Sequence, residues 1–233
     1  MQQYFSQHKD DNILKLDKED ENHIKNVMRF KPGEEVIVVH ENIMYLCEFM
    51  ENLLETRIKQ ILKENKKSRF ITVYIPILQE EKMSFIIEKG TEMGIDEFIP
   101  VQFNRCKYKI KNEAKIKKLK RWGKIAKEAA EQSRQFRIPT IRDIQTIDAL
   151  KPTNGVNILC SLDTNGVKPI KEVLNSNNVY GTINLLFGPE GGITNEEEDK
   201  LVEKGFIKTS LGDTVLRTET VIIYLTSIIN YLS

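Results

Sequence analysis

Only three cysteines, Cys47, Cys106 and Cys160, and three histidines, His8, His23 and His40, occur in 233 residues. The cysteines are far apart, odd in number and without a second thiol or imidazole at ligand spacing, which argues against a disulfide framework and against zinc. No histidine has a sequence neighbour at catalytic or metal spacing, so all six residues are read as core or incidental, and no metal is expected. Long apolar runs are missing as well. Nothing approaches the roughly 20 residues of a membrane span, and the stretch Met1-Gln2-Gln3-Tyr4-Phe5-Ser6-Gln7-His8 lacks a charged region followed by an apolar secretion core. A cytoplasmic protein without a membrane partner is expected. Excess charge of one sign is also lacking, the net being +1, which excludes a histone-like binder.

What charge there is lies unevenly. Between Arg105 and Arg137 stand thirteen Lys or Arg against three acids, Glu113, Glu128 and Glu131, leaving about +10 there and about −9 elsewhere. With 40% hydrophobic residues the chain can bury a real core, in one large domain or two small ones.

Two patterns divide the chain. Residues 1–67 read as a small β-rich domain, with strands at Glu35–His40, Met44–Met50 and Leu53–Leu62 behind a short helix around Asp20–Met28 and the turn Lys31-Pro32-Gly33. Lys63-Glu64-Asn65-Lys66-Lys67-Ser68-Arg69 reads as a linker. Residues 68–233 then alternate strands with helices, which implies a parallel sheet covered on both faces. Strands are predicted at Phe70–Ile77, Glu97–Val101, Val156–Leu162, Thr182–Phe187 and Phe206–Leu211. Helices are predicted at Lys82–Met93 (closed by Gly94), Lys117–Phe136, Lys168–Leu174, Asn195–Lys204 and Glu219–Leu232.

In the long helix Leu119, Trp122, Ala126, Ala129 and Ser133 form an inward stripe at steps of three and four. Lys117, Lys120, Lys124, Lys127 and Arg134 take the opposite face, where i,i+4 acids are not expected to balance them. From charge alone, a solvated surface and an RNA contact are both open.

The strongest local signal is Leu185-Leu186-Phe187-Gly188-Pro189-Glu190-Gly191-Gly192-Ile193-Thr194, a buried strand leading into a glycine-rich turn. In open α/β sheets ligands bind at such strand ends. Thr194 with Glu197 forms a capping box that fixes the next helix start, and glycines let backbone groups approach a ligand closely. The turn is neither a phosphate loop nor a dinucleotide fingerprint, and a purely structural reversal is equally open. A second glycine turn, Ser210-Leu211-Gly212-Asp213-Thr214-Val215-Leu216-Arg217-Thr218-Glu219-Thr220, follows the next strand and should face the same pocket. The final helix is apolar nearly all round, as a deeply buried helix or one shared with a second subunit would be.

Gly188-Pro189-Glu190-Gly191-Gly192 followed by Leu216-Arg217-Thr218-Glu219-Thr220 resembles the signature of the bacterial ribosomal RNA small-subunit methyltransferase E family, of the SPOUT class. Three further stretches agree, in family order: His23-Ile24-Lys25-Asn26-Val27-Met28-Arg29, Glu88-Lys89-Gly90-Thr91-Glu92-Met93-Gly94-Ile95 and Lys127-Glu128-Ala129-Ala130-Glu131-Gln132-Ser133. The resemblance implies a PUA-like RNA-binding barrel, then an α/β domain with a trefoil knot, an exception to the rule that chains do not thread. It also implies a homodimer that transfers methyl from S-adenosylmethionine to uridine N3 in 16S ribosomal RNA, with no DNA partner.

On this resemblance Arg217 and Glu190 are the catalytic candidates. Leu162, Phe187, Gly188, Pro189, Glu190, Gly191, Leu211, Gly212, Val215 and Leu216 would hold the cofactor. Arg29, Lys117, Lys120, Lys124, Lys127 and Arg134 would hold RNA. Gln2-Gln3 depart from the family, which usually has a basic residue before the aromatic. Two rivals stand beside this reading: an RNA-binding module without activity, and a knotted methyltransferase acting on transfer RNA or on ribose 2′-hydroxyls.

Overall fold

The computed structural model describes residues 1–66, 69–152, 154–162, 167–175 and 181–232. The chain divides into two compact units, Met1–Lys66 with Ala130–Arg137, and Lys67–Ala129 with Ile138–Ser233. Among the described residues no helix is long and apolar enough to cross a membrane.

The first unit holds β1 (Gln3–Asp10), β2 (Ile13–Leu16), β3 (Glu35–His40), β4 (Ile43–Phe49) and β5 (Glu55–Glu64), closed into a barrel in the order β1-β2-β5-β4-β3. β1 and β3 pair in parallel and the other pairs are antiparallel. Register shifts between Ser6 and His8 on β1, and at two places on β4, bend the strands enough to close so small a sheet. Tyr4, Leu14, Ile24, Val36, Val38, Tyr45, Cys47 and Phe49 fill the inside.

Several expectations for this unit are corrected. The hairpin β1–β2 leaves no sign in the sequence, because the outer half of β1 is polar and exposed and shows no alternation. The short helix expected around Asp20–Met28 is present, as a continuous helical run that is 3-10 at Lys18–Asp20 and π at His23–Val27. Leu53 and Leu54 belong to the turn before β5, and β5 extends through Lys63 and Glu64, so the charged stretch read as a linker is partly strand. Gln3 is buried and its side-chain amide donates to the carbonyl of Gln135 at 2.8 Å.

The second unit contains β6 (Phe70–Pro76), α1 (Glu80–Glu92), β7 (Glu97–Gln102), α2 (Asn112–Gln132), β8 (Thr140–Ile141), β9 (Gln145–Thr146), β10 (Val156–Cys160), β11 (Lys168–Pro169), α3 (Ile170–Asn175), β12 (Thr182–Phe187), α4 (Asn195–Glu203), β13 (Ile207–Ser210) and α5 (Thr218–Tyr231). Its sheet runs β11-β13-β10-β12-β6-β7-β8, with β9 also on β7, and all these pairs are parallel. β6 and β12 lie at its centre and are buried over nearly every residue, as strands covered on both faces must be.

The short strands β8, β9 and β11 have no periodicity to announce them. α2 begins five residues before its predicted start, in a polar first turn that adds nothing to the apolar stripe, and it ends at Gln132 because Arg134 adopts φ 56°. Trp122, Ala126 and Ala129 on its stripe are buried. Its basic face is balanced in part after all: Lys124 pairs with Glu128 at 3.6 Å across one turn. At Gly90 in α1, a Cβ would stand 2.7 Å from the Phe98 ring and 2.8 Å from Ile222 of α5, so only glycine lets these elements approach so closely.

Candidate functional site

The parallel register of β10, β12 and β13 brings three loops to one edge of the sheet, at the strands' carboxyl ends. There they surround a cavity of about 1260 Å³. Leu162, Phe187, Gly188, Pro189, Glu190, Gly191, Leu211, Gly212, Val215 and Leu216 all line it, and so does Arg217. The ten residues read from sequence as a cofactor site and the two read as catalytic, Arg217 and Glu190, thus share one cavity.

The first loop is held from both sides. At its end the Thr194 hydroxyl accepts from the Glu197 amide at 3.2 Å while the Glu197 carboxylate accepts from the Thr194 amide at 3.0 Å, the capping box expected from the sequence. The other Glu197 oxygen accepts from the Asn104 amide at 2.7 Å. From the segment after β7, the Arg105 guanidinium donates to the carbonyls of Gly191 and Ile193 at 3.3 and 3.4 Å. Gly192 takes φ 75° in the turn closed by its amide on Pro189 O at 2.8 Å. A Cβ on Gly188 would stand 2.6 Å from Ile193 Cγ1, so any side chain there would displace the loop.

The second loop is tied to the first by the Thr218 hydroxyl, which donates to Gly188 O at 3.4 Å. Arg217 is the residue before α5. Its carbonyl accepts from Thr220 and Val221, whereas its exposed guanidinium makes no hydrogen bond or ion pair among the described residues. In the third loop the Ser161 amide donates to Thr209 O and its hydroxyl to Glu198, which also pairs with Lys208 at 2.7 Å.

Sequence reasoning missed Lys82. From α1 its ammonium binds Glu190 on the first loop and lies 3.5 Å from Glu219 in the first turn of α5, so one cation spans both walls. Lys107 reaches Glu190 at 3.1 Å. The hydrogen bond from Lys82, then that from Lys107, holds the Glu190 carboxyl below the usual value of 4.5. The Glu219 oxygen that Lys82 faces is buried. In sequence Lys82, Arg105 and Lys107 look like ordinary solvated charges, and no spacing marks them. Cys160 also lines the cavity, but burial pushes its thiol up to about 12, which leaves almost no thiolate nucleophile at neutral pH.

The walls combine turns rich in backbone donors and acceptors with apolar side chains bared to solvent, Leu162 at 67% and Val215 at 78% exposure. That suits a small ligand held by a few main-chain hydrogen bonds and apolar contact. Among the described residues no group of three or more His, Cys, Asp or Glu is placed to hold a metal ion.

The profile of the RNA methyltransferase domain matches residues 63–230, and that of the RNA methyltransferase PUA domain residues 16–51. The chain belongs to the RNA methyltransferase family. It is 32% identical to Ribosomal RNA small subunit methyltransferase E of Bacillus subtilis over 91% of this chain and 88% of that one. It is 31% identical to the protein of the same name from Aquifex aeolicus, over 98% and 99%. A Legionella pneumophila methyltransferase solved with the bound cofactor SAM superposes with a TM-score of 0.86 at 25% identity, over 99% of this chain and 97% of that one. The barrel followed by a parallel-sheet domain is the PUA-like and SPOUT-type arrangement expected from the sequence.

Of the residues read as an RNA face, Arg29, Lys117, Lys120, Lys124 and Arg134 are exposed and Lys127 is half-buried. Arg29 and Arg134 lie in the barrel unit, the four lysines in the sheet unit.

Proposed function

We propose that the chain is a cytoplasmic methyltransferase that transfers the methyl of S-adenosylmethionine to N3 of a uridine in 16S ribosomal RNA. The observation behind this is the cavity at the carboxyl ends of β10, β12 and β13, rimmed by an arginine with no partner among the described residues. The names of the relatives and the cofactor bound to the Legionella protein point the same way. Residues 1–67 are read as the RNA-binding domain and 68–233 as the methyltransferase domain.

When bound, the cofactor would supply an already activated methyl, so the protein has chiefly to align donor and acceptor and exclude water. Backbone groups of Phe187–Gly191 and Leu211–Leu216 would hold it, with Leu162 and Val215 as apolar walls. Uridine N3 must lose its proton, and the charge then developing on O2 and O4 needs a donor. Arg217 is assigned that task. Glu190, kept ionised by two ammonium groups, is a poor proton acceptor, and we assign it to holding the loop in place of the base role. The target base must be unpaired or flipped out. Arg29, Lys117, Lys120, Lys124, Lys127 and Arg134 would hold the RNA backbone.

The test is transfer of labelled methyl from S-adenosylmethionine to small ribosomal subunits lacking their modifications, with the product nucleoside identified by mass spectrometry. Label in 3-methyluridine supports the reading. Binding of the cofactor without transfer to this RNA would redirect it to transfer RNA or ribose, and absence of cofactor binding would leave an RNA-binding module.

The lowered Glu190 pKa sets a pH dependence. A carboxyl depressed in the folded state contributes stability above its ordinary value of 4.5, and loses it only as pH falls through the lower, folded value. Cofactor affinity measured by calorimetry should therefore stay flat from about pH 8 to below 4.5. In Lys82→Met the acid limb should move to higher pH; an unchanged limb would remove Lys82 from the loop.

A homodimer is part of the same proposal. On α5, Val221, Ile222, Leu225 and Ile229 are buried, but Tyr224 and Tyr231 are exposed, with Phe85 of α1 also bared. Tyr224→Lys should halve the mass seen by sedimentation equilibrium. A wild-type protein that is monomeric at micromolar concentration would overturn the dimer.

A further inference from the structure

Methyl transfer to N3 releases a proton, and a guanidinium such as that of Arg217 cannot take it. The acceptor has to line the cavity, be unprotonated at neutral pH and present an atom that no cation already holds. Among the described residues the lining contains no histidine and no tyrosine. Lys82 is excluded, because its hydrogen bond to Glu190 raises its pKa and keeps the ammonium protonated. Cys160 keeps its proton as well, since burial pushes the thiol up to about 12. Five carboxylates remain in the lining: Glu190, Glu198, Asp199, Asp213 and Glu219.

Four of the five are either fully engaged or unanchored. Glu190 has one oxygen on Lys82 and the other on Lys107. Glu198 accepts from the Ser161 hydroxyl at 3.0 Å through one oxygen and pairs with Lys208 at 2.7 Å through the other. The side chains of Asp199 and Asp213 are exposed and make no hydrogen bond or ion pair among the described residues, so nothing fixes their direction. Glu219 differs from all four. Its buried Oε2 faces the Lys82 ammonium at 3.5 Å, while Oε1 has no partner among the described residues. An acid in the first turn of a helix is favoured by the dipole in any protein, so that position alone assigns nothing. Glu219, however, lines the cavity together with Arg217, the residue that precedes the same helix. A carboxylate oriented through one oxygen presents the other in a set direction, as a general base must.

We infer that Glu219 is the proton acceptor in transfer to N3, with Lys82 as the positioning residue that orients it. This rests on the methyltransferase reading above and adds the base that reading lacks. In the step the N3–H bond breaks and its proton passes to Glu219 Oε1. The N3 electron pair forms the new bond to the methyl carbon, and the pair of the methyl–sulfur bond returns to sulfur, which leaves as a neutral thioether. Arg217 carries the transient charge on O2 and O4, and the proton passes from Glu219 to water as the products depart.

The experiment measures single-turnover methyl transfer by wild type, Glu219→Gln and Glu190→Gln over a pH series. The substrates are small subunits reconstituted on ordinary 16S RNA and on 16S RNA transcribed with 5-fluorouridine, whose N3 is more acidic. Glu219→Gln keeps the side-chain volume and an oxygen for Lys82, so calorimetric cofactor affinity should stay within about twofold of wild type. Its rate on ordinary subunits at neutral pH should fall roughly 100-fold or more. That deficit should shrink severalfold on the fluorinated RNA and as pH rises, since a base that loses its proton to water no longer needs the carboxylate. Glu190→Gln, which loosens the loop, should show a deficit that neither change repairs. A wild-type rate in Glu219→Gln, or a deficit equal on both RNAs and at every pH, would overturn the inference and leave the methyltransferase reading intact. Loss of cofactor binding in Glu219→Gln would make the residue part of the wall and overturn the inference as well. A wild-type protein that transfers no methyl to N3 in either RNA would overturn that reading and the inference with it.

Discussion

Arg217→Ala should lower methyl transfer to small ribosomal subunits by roughly 100- to 1000-fold in turnover, the loss typical of removing one donor from developing negative charge. Cofactor affinity should change by no more than about twofold. The split follows from how Arg217 is built in. It precedes α5 with φ −66° and ψ 149°, an extended conformation that alanine adopts without strain. Its carbonyl, which alanine keeps, accepts from Thr220 and Val221, and its side chain caps nothing. The walls are held by other groups: Thr218 on Gly188 O, Arg105 on the first loop, and Lys82 between Glu190 and Glu219. Removing the guanidinium therefore removes charge stabilisation and leaves the cavity standing. Arg217→Lys should recover only part of the loss, because a point charge replaces a planar fork. Full turnover in Arg217→Ala would exclude this residue from the chemistry. Loss of turnover together with loss of cofactor binding would make it a binding residue.

Legibility in the sequence follows a physical division. Elements whose burial is one-sided or complete are visible: β6, β10 and β12 as apolar runs, α2 through Trp122, Ala126 and Ala129, and α4 through its Thr194–Glu197 box. The two glycine turns can be read as walls of one pocket because each follows a strand of one parallel sheet. Elements that depend on partners distant in the chain are invisible. β1 and β2 become strands only by closing a barrel, and the outer half of β1 is polar and exposed. The π-turn at His23–Val27 has the composition of an ordinary helix, and its extra width shows only in the bonds that end it. Lys82, Arg105 and Lys107 meet the Gly191 and Glu190 backbone and carboxylate across 83 residues or more, a pairing no local pattern encodes. Reaction and substrate come from resemblance, since composition and spacing show only a basic helix and two ligand-ready loops.

Trp122→Ala should destabilise the protein by about 3–5 kcal/mol, the range for deleting a large aromatic from a core. Trp122 is fully buried, and its indole N–H donates to Glu80 at 3.1 Å, where Lys118 and Arg121 converge on the same carboxylate. Glu80 opens α1, the helix that carries Lys82 to the cavity. Two losses are therefore combined, the cavity left in the core and one hydrogen bond at the start of α1. Trp122→Phe separates them: it keeps much of the apolar volume and leaves Glu80 with two cations, so its cost should be about 1–2 kcal/mol. The chain has a single tryptophan, so unfolding must be followed by circular dichroism or calorimetry, not by fluorescence. Equal costs for the two variants would mean that the hydrogen bond to Glu80 outweighs the packing of the indole, while a small cost for both would mean that α2 packs more loosely than its buried stripe implies. Far below the unfolding midpoint, cofactor affinity in Trp122→Ala should stay within about twofold of wild type, because Lys118 and Arg121 still hold Glu80 and Lys82 still spans Glu190 and Glu219.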